Sequence, residues 1–405
     1  MKNIQVFEIA LGLGKPWYIE SINLDADRNR LDIRVNFTRG AKFSCPSCGT
    51  ENQCVHDTME KTWRHLDFFQ FETYVTARVP RVKCRTCGVH QVRAPWSSEG
   101  SGFTLLFERR IIDLAPVMPV KTLGQKLGVT DTRVWRLVKH HLNRALEKLD
   151  LSRVTRVGFD ETSSRRGHDY VSIFVDLDTR RAIFATDGKD SSVLARFRAF
   201  LTEHGGRPEN IRQLCCDMSP AFIKGARENF PTAELTFDKF HVIKIINEAV
   251  DETRREERKT SGLLSHTRYL WLKSPEKLTS EQSTRLEELS LKKCNRKTAR
   301  AYHLKLIFQD IFSRGRPVSE GAALLKKWYF WARHSRLDAM KDAAQTIKAH
   351  WDGILQWFTS QVNNAILEGT NSLVQAAKAK ARGYRSKRTF IDMICLVARL
   401  LNLTE

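Results

Sequence analysis

Apolar residues recur along this chain with two periods, and the places where one gives way to the other divide it into parts. Leu31, Ile33, Val35 and Phe37 alternate with Asp32, Arg34 and Asn36, the pattern of a strand with one face buried. Trp63, Leu66, Phe68, Phe69, Phe71, Tyr74, Val75 and Val79 follow with partial alternation. Aromatic and β-branched types in that density predict more strand. Near residue 120 the period lengthens. Val120, Leu123 and Leu127 fall at helical spacing, Gly128-Val129 supplies a turn, and Thr130 or Asp131 can cap a second helix. The buried stripe of that helix is Val134, Leu137, Val138 and Leu142. Two short helices joined by a glycine turn form the helix-turn-helix pattern, whose second helix enters the DNA major groove with its N-terminal residues leading. Thr132, Arg133, Arg136 and Lys139 are then the candidate DNA-binding residues.

Beyond residue 153 the pattern changes again. VTRVGFDE, GHDYVSIFVDLD and RRAIFATDG read as three strands, and SSVLARFRAFLTEHGG as a helix stopped by Gly205. NIRQLCCDMS, PAFIKGARENF, TAELTFD and HVIKIINEAVDETRR continue as strand, helix, strand and helix. A β-β-β-α-β-α-β-α order lets the first three strands pair as an antiparallel meander, while the last two need helical crossovers. That order matches a ribonuclease-H-like fold, so the expected class is multidomain α+β.

Composition adds a partner. Lys and Arg number 67 against 46 Asp and Glu, a formal net charge of +21 with pI near 9.7. Such an excess points to a polyanion, most simply double-stranded DNA, bound through phosphates with release of counterions. A hydrophobic share of 41 % excludes a wholly disordered chain. No uncharged run reaches the roughly 18 residues of a membrane span, and Glu8 interrupts the first apolar stretch. Neither a membrane nor an export signal is therefore expected, and the expected location is the cytoplasm.

Four of the nine cysteines form two knuckles, Cys45-Pro46-Ser47-Cys48-Gly49 and Cys84-Arg85-Thr86-Cys87-Gly88. Thiolates two residues apart on a tight turn can converge on one tetrahedral Zn2+, and four thiolates make a closed, structural site. Cys54 and His56 stand close enough to substitute for a ligand. Cys215, Cys216, Cys294 and Cys395 read as packing residues.

Candidate chemistry lies in the acids. Asp160 closes the first strand-like run of the α/β region and Asp217 the fourth, and ligands of open α/β sheets gather at the carboxyl ends of strands. Two carboxylates in one site repel unless cations separate them. Mg2+ (or Mn2+) suits such a site, and two ions can serve phosphodiester chemistry. Glu161, Asp176 and Asp187 compete as neighbours. For a third acid, Glu248, Glu252, Glu320 and Glu368 all qualify, and spacing does not choose among them.

CPSCG, CRTCG, VGFDE, LCCDMSPAF, FDKFHVIKIINEAVDETRR, YLWLKSPEKLT and NNAILEGTNSLVQAAKAKARGYRS together resemble the bacterial insertion-sequence transposases of the ISL3 family. The resemblance covers nearly the whole chain. It implies a DDE-type transposase that binds terminal inverted repeats, cleaves DNA with Mg2+ and transfers strands to target DNA as a homo-oligomer. It implies Asp160, Asp217 and Glu368 as the catalytic and Mg2+-binding acids, with Asp238 and His241 supporting. The expected organisation is a zinc-ribbon domain over 1–98 and a helix-turn-helix domain over 99–150. A ribonuclease-H-like catalytic domain over 151–250 and 361–405 would then be interrupted by a helical insertion over 251–360. Trp271, Trp328, Trp331, Trp351 and Trp357 of the insertion read as core. Lys292, Lys293, Arg296, Lys297 and Arg300 form one basic run, and Lys378, Lys380, Arg382, Arg385, Lys387 and Arg388 a second that would bind DNA. The rival readings are a zinc-containing repressor with a dead ribonuclease-H-like domain and a structure-specific nuclease.

Overall fold

The computed structural model describes residues 3–165, 167, 169–291, 296–312, 315–362 and 365–398. Cys294, Lys292 and Lys293 lie outside them. The chain divides into two compact units, one up to residue 141 and the other from residue 142.

In the first unit, helix α1 (Asn3–Ala10) precedes strands β1 (Trp17–Asp25), β2 (Arg30–Phe37), β3 (Lys42–Phe43), β4 (Gln53–Arg64), β5 (Glu72–Cys84) and β6 (Gly88–Gln91). The sheet runs β1-β2-β5-β4-β3, with β6 also on β5. Leu31, Ile33 and Val35 of β2 and Val75, Ala77 and Val79 of β5 are buried at every second position, as a half-buried strand requires. Trp17 and Trp63 both meet Trp96 edge to face, with centroids 5.0 and 5.6 Å away.

The strand reading of residues 65–71 is corrected. Phe68 and Phe71 exchange backbone hydrogen bonds of 3.0 and 2.9 Å across a turn, and Phe69 at its tip has φ +53° and is 81 % exposed. High β-propensity reflects packing on a pleated surface, and these rings pack at a hairpin end instead: Phe68 meets Phe7 of α1 at 5.3 Å. Three helices complete the unit's helical part, α2 (Leu105–Leu114), α3 (Val120–Lys126) and α4 (Asp131–Glu147). Among the helices α1 to α4, α1 and α2 were not legible in the sequence pattern.

The second unit is built on strands β7 (Arg156–Arg165), β8 (Asp169–Asp176), β9 (Arg181–Asp187), β10 (Gln213–Cys216) and β11 (Glu234–Phe237), in the order β11-β10-β7-β8-β9. The first three pair antiparallel, and β10 lies parallel between β7 and β11. Helices α5 (Ser192–Glu203) and α6 (Pro220–Asn229) are the crossovers. Val157 and Phe159 of β7 bury against Phe174, Phe197 and Phe222, so Gly158 and Asp160 point to the other face.

Helix α7 (Lys239–Arg258) runs unbroken from the sheet through residue 250 into a helical region. There follow α8 (Arg268–Leu272), α9 (Ser280–Ser290), α10 (Lys297–Ile311), α11 (Val318–Arg333), α12 (Asp338–Ala349) and α13 (Trp351–Ser360). These helices share one continuous apolar core with the sheet. Gly353 of α13 sits so close to Phe237 of β11 that any Cβ would strike the ring. Trp271, Trp328 and Trp357 are buried in that core, whereas Trp331, read as core, is 47 % exposed. Finally α14 (Ala365–Lys380) and α15 (Lys387–Val397) return to the sheet.

Candidate functional site

Two clusters of ionisable side chains stand out, one of cysteines in the first unit and one of carboxylates in the second. In the first, Cys45 and Cys48 sit on the turn after β3, Cys84 closes β5, and Cys87 precedes β6. Gly49 and Gly88 take φ of +76° and +86°, a backbone that residues with a Cβ rarely adopt. The four sulfurs lie within 4.8 Å of one another. A tetrahedron with zinc–sulfur bonds of about 2.3 Å has edges of about 3.8 Å, and Cys48 Sγ and Cys84 Sγ are 3.7 Å apart. The donor set and spacing therefore fit one Zn2+. Thr50 beside Cys48, through its hydroxyl and its amide, draws that thiol down to about 6, toward the thiolate form that binds metal. Cys54 is exposed on β4 opposite Lys42, and neither it nor His56 belongs to the cluster.

In the second unit the register sets the site. Cys215 pairs with Gly158, and Cys216 with Phe237. Extending both ladders brings Asp160, Asp217 and Asp238 level on three adjacent strands. Asp217 and Asp238 each follow the last residue of a short strand. Asp160 does not close its strand, as the sequence suggested: β7 continues to Arg165, and Asp160 pairs with Ile173 on β8. The apolar run ends at Asp160 because the flanking strand β10 ends there, while hydrogen bonding to β8 carries the backbone onward.

Asp238 is 2 % exposed and caps α7, accepting from Phe240 N–H at 3.2 Å. It also holds His241, whose Nδ1 lies 3.1 Å from its Oδ2. That bond, and the charges of Asp160 and Asp217, raise the imidazole above its usual range. Burial, then the neighbouring Glu161 and Asp217 charges, pushes the Asp160 carboxyl up to about 7, with His241 opposing. Glu161 is raised as well, by burial and then by Asp217, and its Oε2 is buried with no partner.

Glu368 lies in the first turn of α14 and is exposed. Partial burial and the charge of Asp238 raise its carboxyl, and His241 pulls it the other way. Three residues on, the Asn371 amide donates to Asp160 Oδ2 at 2.9 Å. Helix positions three apart share a face, with Cβ atoms about 5–6 Å apart, so Glu368 is on the stripe of α14 that meets Asp160. Of the other third-acid candidates, Glu320 is paired with Arg316 at 3.1 Å. Crowded carboxylates, three of them with raised affinity for protons, together with a buried oxygen lacking a donor, make a donor set that suits hard divalent cations.

Sequence reasoning named Glu161 only as a competing neighbour of Asp160 and passed over Asn371 and Gln375. The spacing Glu368, Asn371, Gln375, Lys378 is a helical stripe and could have grouped them.

The candidate DNA-binding residues are less uniform than the sequence suggested. Thr132, Arg133 and Arg136 are exposed on the first turns of α4, with the Arg133 guanidinium over the Phe103 ring at 4.3 Å, whereas Lys139 is half-buried. In the second basic run Lys380, Arg382, Arg385 and Arg388 are exposed. Two others face protein groups. Lys378 donates to Ser163 O at 2.6 Å, and Lys387 bonds Asp169 and Asp187, each at 2.7 Å. No helix among the described residues is long and apolar enough to cross a membrane.

Comparison with known proteins finds transposases along most of the chain. A family model for ISL3-type DDE enzymes, described as a transposase, matches residues 157–394. A second, for the zinc finger of the IS204/IS1001/IS1096/IS1165 transposases, matches 41–87, and a third, for the helix-turn-helix domain of transposase family ISL3, matches 92–142. The transposase for insertion sequence element IS1557 of Mycobacterium tuberculosis is 26 % identical over 437 residues, covering 98 % of this chain and 96 % of the relative. The transposase for IS1001 of Bordetella parapertussis is 25 % identical over 391 residues, covering 94 % and 95 %.

Proposed function

Because the chain belongs to the ISL3 transposase family, we propose that it is a DDE-type enzyme that cleaves the ends of its own element and joins them to target DNA. The observation that carries this reading is the row of Asp160, Asp217 and Asp238 across three strands, with Glu368 on the helix stripe that bonds Asp160. Asp160, Asp217 and Glu368 would hold two Mg2+ (or Mn2+) ions. When bound, such ions lower the pKa of an attacking hydroxyl and stabilise the leaving oxygen of a phosphodiester.

The chain's own groups account for the rest. Asp238 and His241 form a fixed pair beside the acids. The cation of that pair partly offsets the carboxylate charge, which favours a closely packed ionised site. The zinc ribbon and the exposed face of α4 would bind the terminal inverted repeats. The exposed Lys380, Arg382, Arg385 and Arg388 follow Glu368 in sequence and would contact phosphates near the scissile bond. Holding two ends together calls for at least a dimer on DNA, and the reaction belongs in the cytoplasm, on the nucleoid.

The test is cleavage and joining of DNA carrying the element's ends, with Mg2+ present and absent. The proposal expects ion-dependent nicks at the ends and joined products with wild type, and neither with Asp160→Asn, Asp217→Asn or Glu368→Gln, while all four proteins bind the ends. End binding by wild type without cleavage would replace this reading with a repressor. Cleavage without end preference or joining would replace it with a nuclease.

A further inference from the structure

We propose that Asn371 is a positioning residue of the acid site, fixing the plane of the Asp160 carboxylate and tying it to the helix that carries Glu368. The inference rests on the metal-binding reading given above and adds to it a residue outside the three acids.

The Asp160 carboxylate is held from two sides. Its Oδ1 accepts from Glu161 N–H at 2.9 Å, and its Oδ2 accepts from the Asn371 amide, also at 2.9 Å. Each oxygen keeps one further lone pair, and with both in-plane bonds made, the directions of those lone pairs are set. A ligating carboxylate oriented by hydrogen bonds in this way binds its ion in one geometry rather than many. Among the described residues Asn371 is the side chain bonded to Asp160, and it comes from the helix of Glu368, so it orients one acid from the helix that carries another.

The same helix is fastened to β7 by two more residues of the stripe. Gln375 donates to Thr162 Oγ1 at 2.7 Å and to Ser163 O at 2.9 Å, and Lys378 donates to Ser163 O at 2.6 Å. Leu367 and Val374 are buried beneath it. Docking of α14 is thus over-determined, and Asn371 is not needed for it. Its own Oδ1 is buried and has no partner, which costs stability. A residue kept only for packing would not carry that cost. An ion that retains its water shell supplies donors for such an oxygen.

The experiment titrates the full chain with Mn2+ alone and follows free Mn2+ by electron paramagnetic resonance. Wild type, Asn371→Ala, Gln375→Ala and the double variant Asp160→Ala/Asp217→Ala are compared, with thermal unfolding as the control. The inference expects Asn371→Ala to bind Mn2+ about 10–100-fold more weakly, with its unfolding midpoint and the Mn2+ affinity of Gln375→Ala near wild type. Equal affinity of Asn371→Ala and wild type would overturn it and leave the acid site standing. Equal weakening by Asn371→Ala and Gln375→Ala would also overturn it, because loosening of α14 would then be the cause. Wild type binding no more Mn2+ than the double variant would instead remove the metal reading itself. Should Asn371→Ala not fold, Asn371→Ser, which keeps a donor, takes its place; if both unfold, Asn371 is a packing residue and the inference falls.

Discussion

The cysteine cluster and the carboxylate cluster both gather ionisable side chains at one place, and they differ in every other respect. The cysteines come from two turns of one small sheet, four soft ligands that close around a single ion. The acids come from the middle of one strand, the end of another, a helix cap and a helix that returns more than a hundred residues later. They carry charges that repel, with Asp160 held at about 7. One arrangement fastens the fold and leaves no open position. The other carries a standing electrostatic cost, which bound cations would relieve in the function proposed above. The comparison teaches that a metal site declares its purpose by how stable its protein would be without the metal.

Substitution at each centre should therefore fail in opposite ways. The largest effect is expected at the acids. Asp160→Asn, Asp217→Asn and Glu368→Gln should lose several orders of magnitude in end cleavage, seen by gel in single-turnover reactions, with unfolding temperature unchanged or raised because like charges are removed. A fall of many degrees would mean that the acids are structural. Cys45→Ser or Cys87→Ser should do the reverse. Zinc measured by atomic emission should be lost and the first unit should melt early, since structural zinc sites contribute on the order of 10 kcal/mol to small domains, while the sheet of the second unit persists. Zinc-free protein of unchanged stability would break the contrast.

Smaller effects probe the scaffold behind the acids. Gly353→Val places a branched side chain against Phe237, next to Asp238, and overpacking of this kind costs about 1–3 kcal/mol, to be read from urea unfolding. The smallest effect concerns Lys305, which is fully buried and donates to the carbonyls of Trp271 and Leu272 at 2.8 and 2.9 Å. Burial lowers its pKa to about 8 from 10.5. Between those values the unfolded chain binds more protons than the folded one, so stability rises with pH across this window. The stability of wild type minus that of Lys305→Met should grow from pH 8 to pH 10, and a flat difference would show that Lys305 titrates normally.

Much of this organisation could be read before any coordinates. The knuckles were legible because a tight turn dictates both the spacing of its ligands and the glycine after them. The β-β-β-α-β-α-β order was legible because each element carries its own apolar period. Residues 65–71 misled because propensity cannot tell an aromatic ring on a pleat from one on a hairpin tip. Asp160 was found, but for an incomplete reason: its strand runs on, and a neighbouring strand ends instead. Glu248, Glu252, Glu320 and Glu368 were equivalent in the sequence, and the family resemblance alone chose among them.

What the sequence determined by itself was therefore local: the four thiolates, the recognition-helix pattern, the order of strands and helices, and the charge that calls for a polyanion. Only the tertiary structure showed which acids stand level on neighbouring strands and which cations bond the sheet. Lys378 and Lys387, read in the sequence as part of a basic run, bond Ser163, Asp169 and Asp187 of the sheet, and Asn371 reaches Asp160 across 211 positions. The reason is physical. Turn geometry and side-chain period act over a few residues, whereas the meeting of two polar groups far apart in the chain is set by the summed packing of everything between them.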